Sequence, residues 1–287
     1  MSSSPFNGDS FKKREFKKLC YLIGFSQAQI NNALENTASS YKQWSEEKYD
    51  KKTGKLKTYK DGTIKKRNFR NPSPLLKAVQ SRIKSKVLSE IKLPDNVHGG
   101  VKGRSNITNA KPHQGNKCRF TTDLQEFYPN IKTKQVYEAL IARGFSCHTS
   151  HWLTRLTTLD NEVPQGAPTS TAISNLVFFE TDIKLINLCT QNEIVYTRYV
   201  DDLTFSSQKD FGHLIKAIIT IVSDSHFKIN YRKTKYSGMQ PVTGIDIFLN
   251  KIDGTEKIIE KAKRESEENS QLKPISNYLN RIRRTNK

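Results

Sequence analysis

EIVYTRYVDDLTFSS, residues 193–207, reads as two short β-strands folded about a tight turn, and the rest of the chain is best read outward from it. Val195, Tyr196 and Tyr199 before the turn and Thr204 and Phe205 after it are the β-branched and aromatic types that suit a half-buried pleated surface. Asp201 and Asp202 stand where the chain reverses. Adjacent carboxylates repel and cost stability unless a cation or base holds them. A solvated Asp-Asp turn is the plainer alternative, because Asp favours turns.

A third acid occupies an equivalent place upstream. CRFTTDLQEFYPNI, residues 118–131, begins as a strand, reaches Asp123 and changes at Phe127 into turn and helix character. Hard Mg²⁺ takes oxygen ligands, commonly a few carboxylates plus substrate phosphates. Two such ions can clamp the attacking and leaving oxygens of a displacement. Asp123, Asp201 and Asp202 suit that chemistry.

The remaining elements follow from periodicity and breakers. Phe16, Leu19, Cys20 and Ile23, then Ala28, Ile30, Ala33 and Leu34, fall on helical faces, with Ser26 able to cap the second segment. KYDKKTGKLKTYKDGTIKKRNFR, residues 48–70, alternates lysines with apolar residues around Thr-Gly and Asp-Gly turns and reads as a basic β-ribbon. Pro74 opens a helix carrying Leu75, Leu76, Val79, Ile83 and Val87. Helices are expected at 133–143, 148–156, 172–189 and 211–223, with strands at FKINY (227–231) and within 238–250. The tail from Gly254 reads as helical, broken at Pro274. Strand, helix, helix, hairpin, helix, strand, strand is the order of an α+β sheet covered by helices.

With 48 Lys and Arg against 28 Asp and Glu, the 287-residue chain carries a formal charge of +20, which calls for a polyanionic partner. The length excludes a peptide or disulfide miniprotein. No run approaches the ~18 apolar residues of a membrane span, and MSSSPFNGDSFKKREF has no apolar signal-peptide core, so we read the chain as intracellular and soluble, without a membrane partner. Cys20, Cys118, Cys147 and Cys189 form no C-x-x-C pair and read as reduced thiols. Cys147, His148 and His151 share one short helix and are too few for a structural zinc site.

Asp123 in DLQEFYPNI, then VPQGAPTSTAISN (163–175), then YVDD resemble, in order and spacing, the three palm motifs of reverse transcriptases. NAKPH (109–113) and VTG (242–244) resemble elements of the bacterial retron-type branch, and the resemblance covers about residues 60–250. It implies a right-hand polymerase of fingers, palm and shortened thumb, with an antiparallel palm sheet covered by helices, that copies RNA into DNA with two Mg²⁺ ions, Mn²⁺ being a possible substitute. The corresponding divisions are an N-terminal helical element at 1–46, fingers at 47–117, palm at 118–246 with some fingers helices inserted, and a thumb or helical tail at 247–287.

Within the resemblance, Asp123, Asp201 and Asp202 match the metal-binding acids, and Leu124 would offer its carbonyl. Tyr128 matches the bulky residue that excludes a 2′-hydroxyl; a ring packed under the sugar leaves no room for an added oxygen. Core packing is its plainer role. Gln165 and Gly166 match the loop beside the incoming nucleotide. Lys65 and Arg67, with Lys66 and Arg70, fall where relatives grip the triphosphate, a contact that suits Arg. Lys233 matches the Lys-Thr element near the active site and could protonate the pyrophosphate leaving group; an ordinary surface lysine is the rival reading. Lys102 and Arg104 in a Gly-rich loop, Asn109 and His113, and the tail residues Arg281, Arg283, Arg284 and Lys287 are candidates for nucleic-acid contact. For His113 a hydrogen bond within the fold is the alternative.

The implied partners are template and primer RNA, product DNA and dNTPs, with an effector protein or further subunits in a bacterial, cytoplasmic anti-phage system. Untemplated or protein-primed synthesis, and an RNA-binding scaffold with an idle site, are the competing expectations. Two departures stand out. Thr171 replaces the proline that many relatives carry, which we expect to loosen a helix start without touching chemistry. The residues after VTG are fewer than a three-helix thumb needs.

Overall fold

Local signals become elements wherever a cap or turn supports them. In the computed structural model, which describes residues 8–50, 53–59, 61–238, 240–267 and 272–286, Ser26 accepts from the Gln29 amide while the Gln29 side chain accepts from the Ser26 amide. This capping box starts α2 (Gln27–Glu35), after α1 (Gly8–Ile23). The chain divides into two units, one of Met1–Lys92 with Tyr128–Val177, the other of Leu93–Phe127 with Phe178–Lys287.

In the first unit, α1 and α2 pack with α3 (Pro74–Lys86) and α7 (Cys147–Thr157). Ile23, Ile30, Leu76, Val79, Ile83, Leu153 and Leu156 are buried in this unit. Buried Gln80 donates to the Tyr41 hydroxyl at 2.7 Å and to the Leu156 carbonyl at 2.8 Å, tying strand β1 (Tyr41–Glu47) to the helices. β1 pairs antiparallel with β2 (Lys66–Pro72), and the ribbon continues through Tyr49 opposite Leu56 and Thr58 opposite Ile64. Trp44 stacks on its cross-strand partner Phe69 at 5.2 Å. α6 (Thr133–Ala142) and α8 (Ser170–Val177) complete the unit.

The second unit is built on a four-stranded antiparallel sheet in the order β4-β5-β3-β6: β3 (Cys118–Asp123), β4 (Val195–Tyr199), β5 (Asp202–Ser207) and β6 (Lys235–Ser237). Residues opposed in register share a face, so Phe120, Phe205 and Tyr196 form one aromatic row, with rings 5.7 and 4.7 Å apart. α9 (Phe179–Gln191) packs on β4 and on α10 (Ile215–Asp224). α4 (Asn106–Ala110) joins the hairpin of β7 (Ile245–Ile247) and β8 (Ile252–Gly254) and the tail helix α12 (Pro274–Arg284) in an aliphatic cluster of Ile107, Val242, Ile245, Ile252 and Ile282. α11 (Glu256–Glu267) lies against α12, and α5 (Phe127–Asn130) carries the chain between the units.

Two expected elements differ. The helix expected over 172–189 is two helices, because buried Phe178 ends one and joins Phe127 and Phe227 in an aromatic cluster. FKINY contributes one bridge, Ile229 to Leu124, rather than a strand. A 3₁₀ turn over Tyr231–Lys233 intervenes, and only then does β6 join the sheet.

Candidate active site

Register alone puts two acids together. Asp123 ends β3 directly opposite Asp202, the first residue of β5, so both project from one face. Asp201 precedes them at the turn, where its carbonyl accepts from the Leu124 amide at 2.9 Å. The turn residue Val200 has φ +60°, unusual for a β-branched side chain.

The electrostatics follow from this crowding. Burial pushes the Asp202 carboxyl up to about 7; the charges of Asp201 and Asp123 and a hydrogen bond with Asp123 push the same way, opposed by Lys233. Lys233 Nζ lies 2.7 Å from Asp123 Oδ1. Asn230 supports the same acid twice: its amide donates to the Asp123 carbonyl at 2.8 Å and its Nδ2 to the carboxylate at 3.3 Å. One lysine beside three acids leaves net negative charge. Among the described residues no three His, Cys, Asp or Glu form a ready metal cage. An oxygen-only set with excess negative charge fits a hard divalent ion that completes its shell with water and substrate phosphate.

The candidates in the first unit form a second group. Gly166 has φ +111°, and a Cβ there would sit 3.4 Å from the Arg70 carbonyl oxygen. The Arg70 amide donates to the Gln165 carbonyl at 2.9 Å, so β2 holds the Pro-Gln-Gly loop. The Tyr128 hydroxyl meets the Thr171 hydroxyl at 3.1 Å. Thr171 therefore touches a candidate site residue, contrary to the expectation that its departure bears on the helix start alone. Lys65 lies over the Tyr59 ring at 4.7 Å, while Lys66 and Arg67 are exposed on the ribbon. Arg70 is spent internally, on Glu162 at 2.7 Å and Asp160 at 3.5 Å.

Several of the candidates for nucleic-acid contact have partners within the fold. His113 is fully buried, between the hydroxyls of Ser206 at 2.6 Å and Thr197 at 2.7 Å. Burial, with repulsion from Arg119 and His98, pushes its imidazole down to about 3. Asn109 is equally buried, its amide 3.4 Å from the Thr243 hydroxyl. Both are held within the fold, which for His113 is the hydrogen-bonded alternative read from the sequence. Arg104 donates to the carbonyls of Pro94, Asp95 and Val97 and pairs with Asp95 at 2.8 Å, so its guanidinium is an internal brace. Arg283 pairs with Asp253 at 2.8 Å. Lys102, Arg281 and Arg284 are exposed, and Lys287 lies outside the described residues.

Sequence reasoning missed Asn230, Gly99 and a fully buried pair. Arg198 reaches Asp182 at 2.6 Å, and the Tyr196 hydroxyl donates to the same carboxylate at 2.7 Å. An arginine inside the strand that leads to YVDD was the available signal.

A strand ending in one acid, paired with a hairpin presenting two more beside a lysine, is the arrangement expected from the resemblance to the palm motifs of polymerases. The chain is a member of the reverse transcriptase (RNA-dependent DNA polymerase) family, whose sequence profile matches residues 51–247. It is 32% identical over 242 residues to the retron Se72 reverse transcriptase of Salmonella heidelberg, covering 82% of this chain and 60% of that protein. Against the retron Ec86 reverse transcriptase of Escherichia coli it is 32% identical over 192 residues, 65% of this chain and 60% of the relative. Against the retron Mx65 reverse transcriptase of Myxococcus xanthus the figures are 33% over 200 residues, 61% and 47%. The chain thus spans 60% or less of the length of these relatives. Among the described residues no helix is long and apolar enough to cross a membrane.

Proposed function

We propose that this protein is an RNA-directed DNA polymerase that copies a structured noncoding RNA in a bacterial, cytoplasmic retron-type defence system. The observation that carries this reading is the opposition of Asp123 and Asp202 on neighbouring strands, with Asp201 at the turn and Lys233 on Asp123. Asp123, Asp201 and Asp202, with the Leu124 carbonyl, would hold two Mg²⁺ ions, which Mn²⁺ could replace. When bound, the ions supply charge neutralisation and Lewis acidity at the α-phosphate.

The chain's own residues do the rest. Lys233 is within reach of Asp123 and can give a proton to departing pyrophosphate. Exposed Arg67 and half-buried Lys65 are the cations for the triphosphate, Gln165 and Gly166 line the nucleotide, and the Tyr128 ring, tethered by Thr171, excludes a 2′-hydroxyl. Lys102, Arg281 and Arg284 remain for phosphate contact. Fingers, palm and thumb keep the divisions given by sequence, and an effector or further subunit completes the proposed system.

The test is to purify the chain from its own host, sequence the bound nucleic acid with and without RNase, and repeat with Asp201→Asn. A discrete RNA joined to DNA, with the DNA missing from the variant, is expected. DNA that no copurified RNA encodes would replace this reading with untemplated synthesis. RNA alone in both samples, with no incorporation from added primer and dNTPs, would leave an RNA-binding scaffold.

A further inference from the structure

Gly99 stands against the turn that carries Asp201 and Asp202, with no room for a side chain. A Cβ added there would lie 2.4 Å from the Val200 amide nitrogen, 2.6 Å from Val200 Cγ2 and 3.0 Å from the Tyr199 carbonyl carbon. Gly99 is absent from the positive-φ glycines, so space, and not backbone conformation, demands glycine. Val200, by contrast, holds φ +60°, which a β-branched residue keeps only where its surroundings over-determine it.

Those surroundings are visible. The Arg198 amide donates to the Asn96 carbonyl and the His98 amide to the Arg198 carbonyl, both at 2.8 Å, so 96–98 runs as a parallel ribbon along the end of β4. Arg198 Nη1 donates to the Val200 carbonyl at 2.9 Å, and Asp182 fixes that guanidinium. Arg104 ties down the carbonyls of Pro94, Asp95 and Val97, so the ribbon is itself held.

We propose that Asn96–Gly99 is a positioning segment for the catalytic turn: the missing side chain of Gly99 lets it press on Val200 and so set Asp201 and Asp202 against Asp123. The proposal rests on reading these acids as the metal-holding set. Gly99, Arg198 and Asp182 act through the turn and touch no reactant.

The test uses the full chain with Gly99→Ala, and Gly103→Ala as control. Gly103 belongs to the same loop, has φ +78° and has nothing within 4 Å of an added Cβ. Gly99→Ala is expected to keep RNA affinity within ~2-fold and to weaken Mn²⁺ binding, read from free-ion electron spin resonance, by ~10-fold. dNTP incorporation should fall by ~100-fold, the scale of a misplacement of about 1 Å. Gly103→Ala is strained by its positive φ and costs stability, but with no contact on the turn its folded form should bind Mn²⁺ as wild type does. If Gly99→Ala does not fold, Gly99→Ala with Val200→Gly removes the contact with Cγ2 and gives the residue-200 backbone the freedom to move off the added methyl group; it should fold yet bind Mn²⁺ weakly.

A folded Gly99→Ala or double variant with wild-type Mn²⁺ affinity overturns the proposal. Failure of both to fold also overturns it, because the segment would then support the unit and not the turn. The polymerase reading fails separately: wild type that binds Mn²⁺ through Asp201, shown by loss in Asp201→Asn, but incorporates no dNTP would sink that reading and keep this one.

Discussion

Metal binding at the three acids should be proton-linked. The Asp202 carboxyl, pushed up to about 7 chiefly by burial and then by Asp201 and Asp123, against the opposing charge of Lys233, holds a proton over much of the neutral range until a divalent ion displaces it. A divalent ion needs the carboxylate, so apparent affinity is lowered by the protonated share. That share costs about 2-fold at pH 7 and about 10-fold at pH 6, ~1.4 kcal/mol for each unit below the titration, and almost nothing at pH 8. Calorimetry with Mg²⁺ or Mn²⁺ in buffers of different ionisation enthalpy reads both quantities. About half a proton should leave per site at pH 7, nearly one at pH 6 and few at pH 8. Affinity flat from pH 6 to 8 with no proton release would refute the reasoning, because Asp202 would then be ionised without help.

Three other outcomes are expected. Tyr128→Ala should lower the ratio of kcat/KM for dNTP over rNTP while DNA synthesis stays measurable, and Thr171→Val, which removes the tethering hydroxyl, should move the same ratio part of the way; an unchanged ratio rejects the gate role. Asp182→Asn leaves Arg198 buried without its full countercharge and should cost ~3–5 kcal/mol in urea unfolding, so a loss under ~1 kcal/mol would show the pair to be dispensable. His113, down at about 3, is a base whose native titration lies below the unfolded one, so the unfolded chain takes the proton first as pH falls. Its contribution is complete above about pH 6.5 and declines towards pH 3, by ~2–3 kcal/mol at pH 4.5. Asp202 runs the other way, with stability falling as pH rises through about 7, so the comparison is wild type against His113→Gln: the difference should shrink on acidification.

What could be read from sequence was local. The hairpin and the strand ending at Asp123 have period-two apolar patterns that stop at acids, and the register then opposes Asp123 to Asp202. Ser26 and Pro74 marked helix starts because capping is decided within four residues. Long-range pairing was hidden. Arg104 and Arg283 look in sequence like any phosphate-binding cation, and only the fold shows their guanidiniums spent on carbonyls and on Asp253. The burial of the asparagine and histidine of NAKPH was hidden for the same reason. Gly99 was invisible because nothing in a glycine's neighbours reveals what its missing Cβ would strike.

The buried polar residues beneath the hairpin have a common cause. Three acids repel and Val200 is strained, so the turn would relax if only apolar packing held it, because apolar contact is non-directional. Hydrogen bonds supply direction: Arg198 on the Val200 carbonyl, Leu124 on the Asp201 carbonyl, Asn230 on Asp123, and His113 bridging β4 and β5. Each contributes only ~1 kcal/mol net, but any displacement leaves a buried group unpaired at ~1–3 kcal/mol. The penalty for moving thus exceeds the gain from forming, which is what fixes a strained, like-charged turn in one position. It also explains why Gly99 stays bare: a methyl group there would shift a turn whose every displacement leaves a buried polar group unpaired.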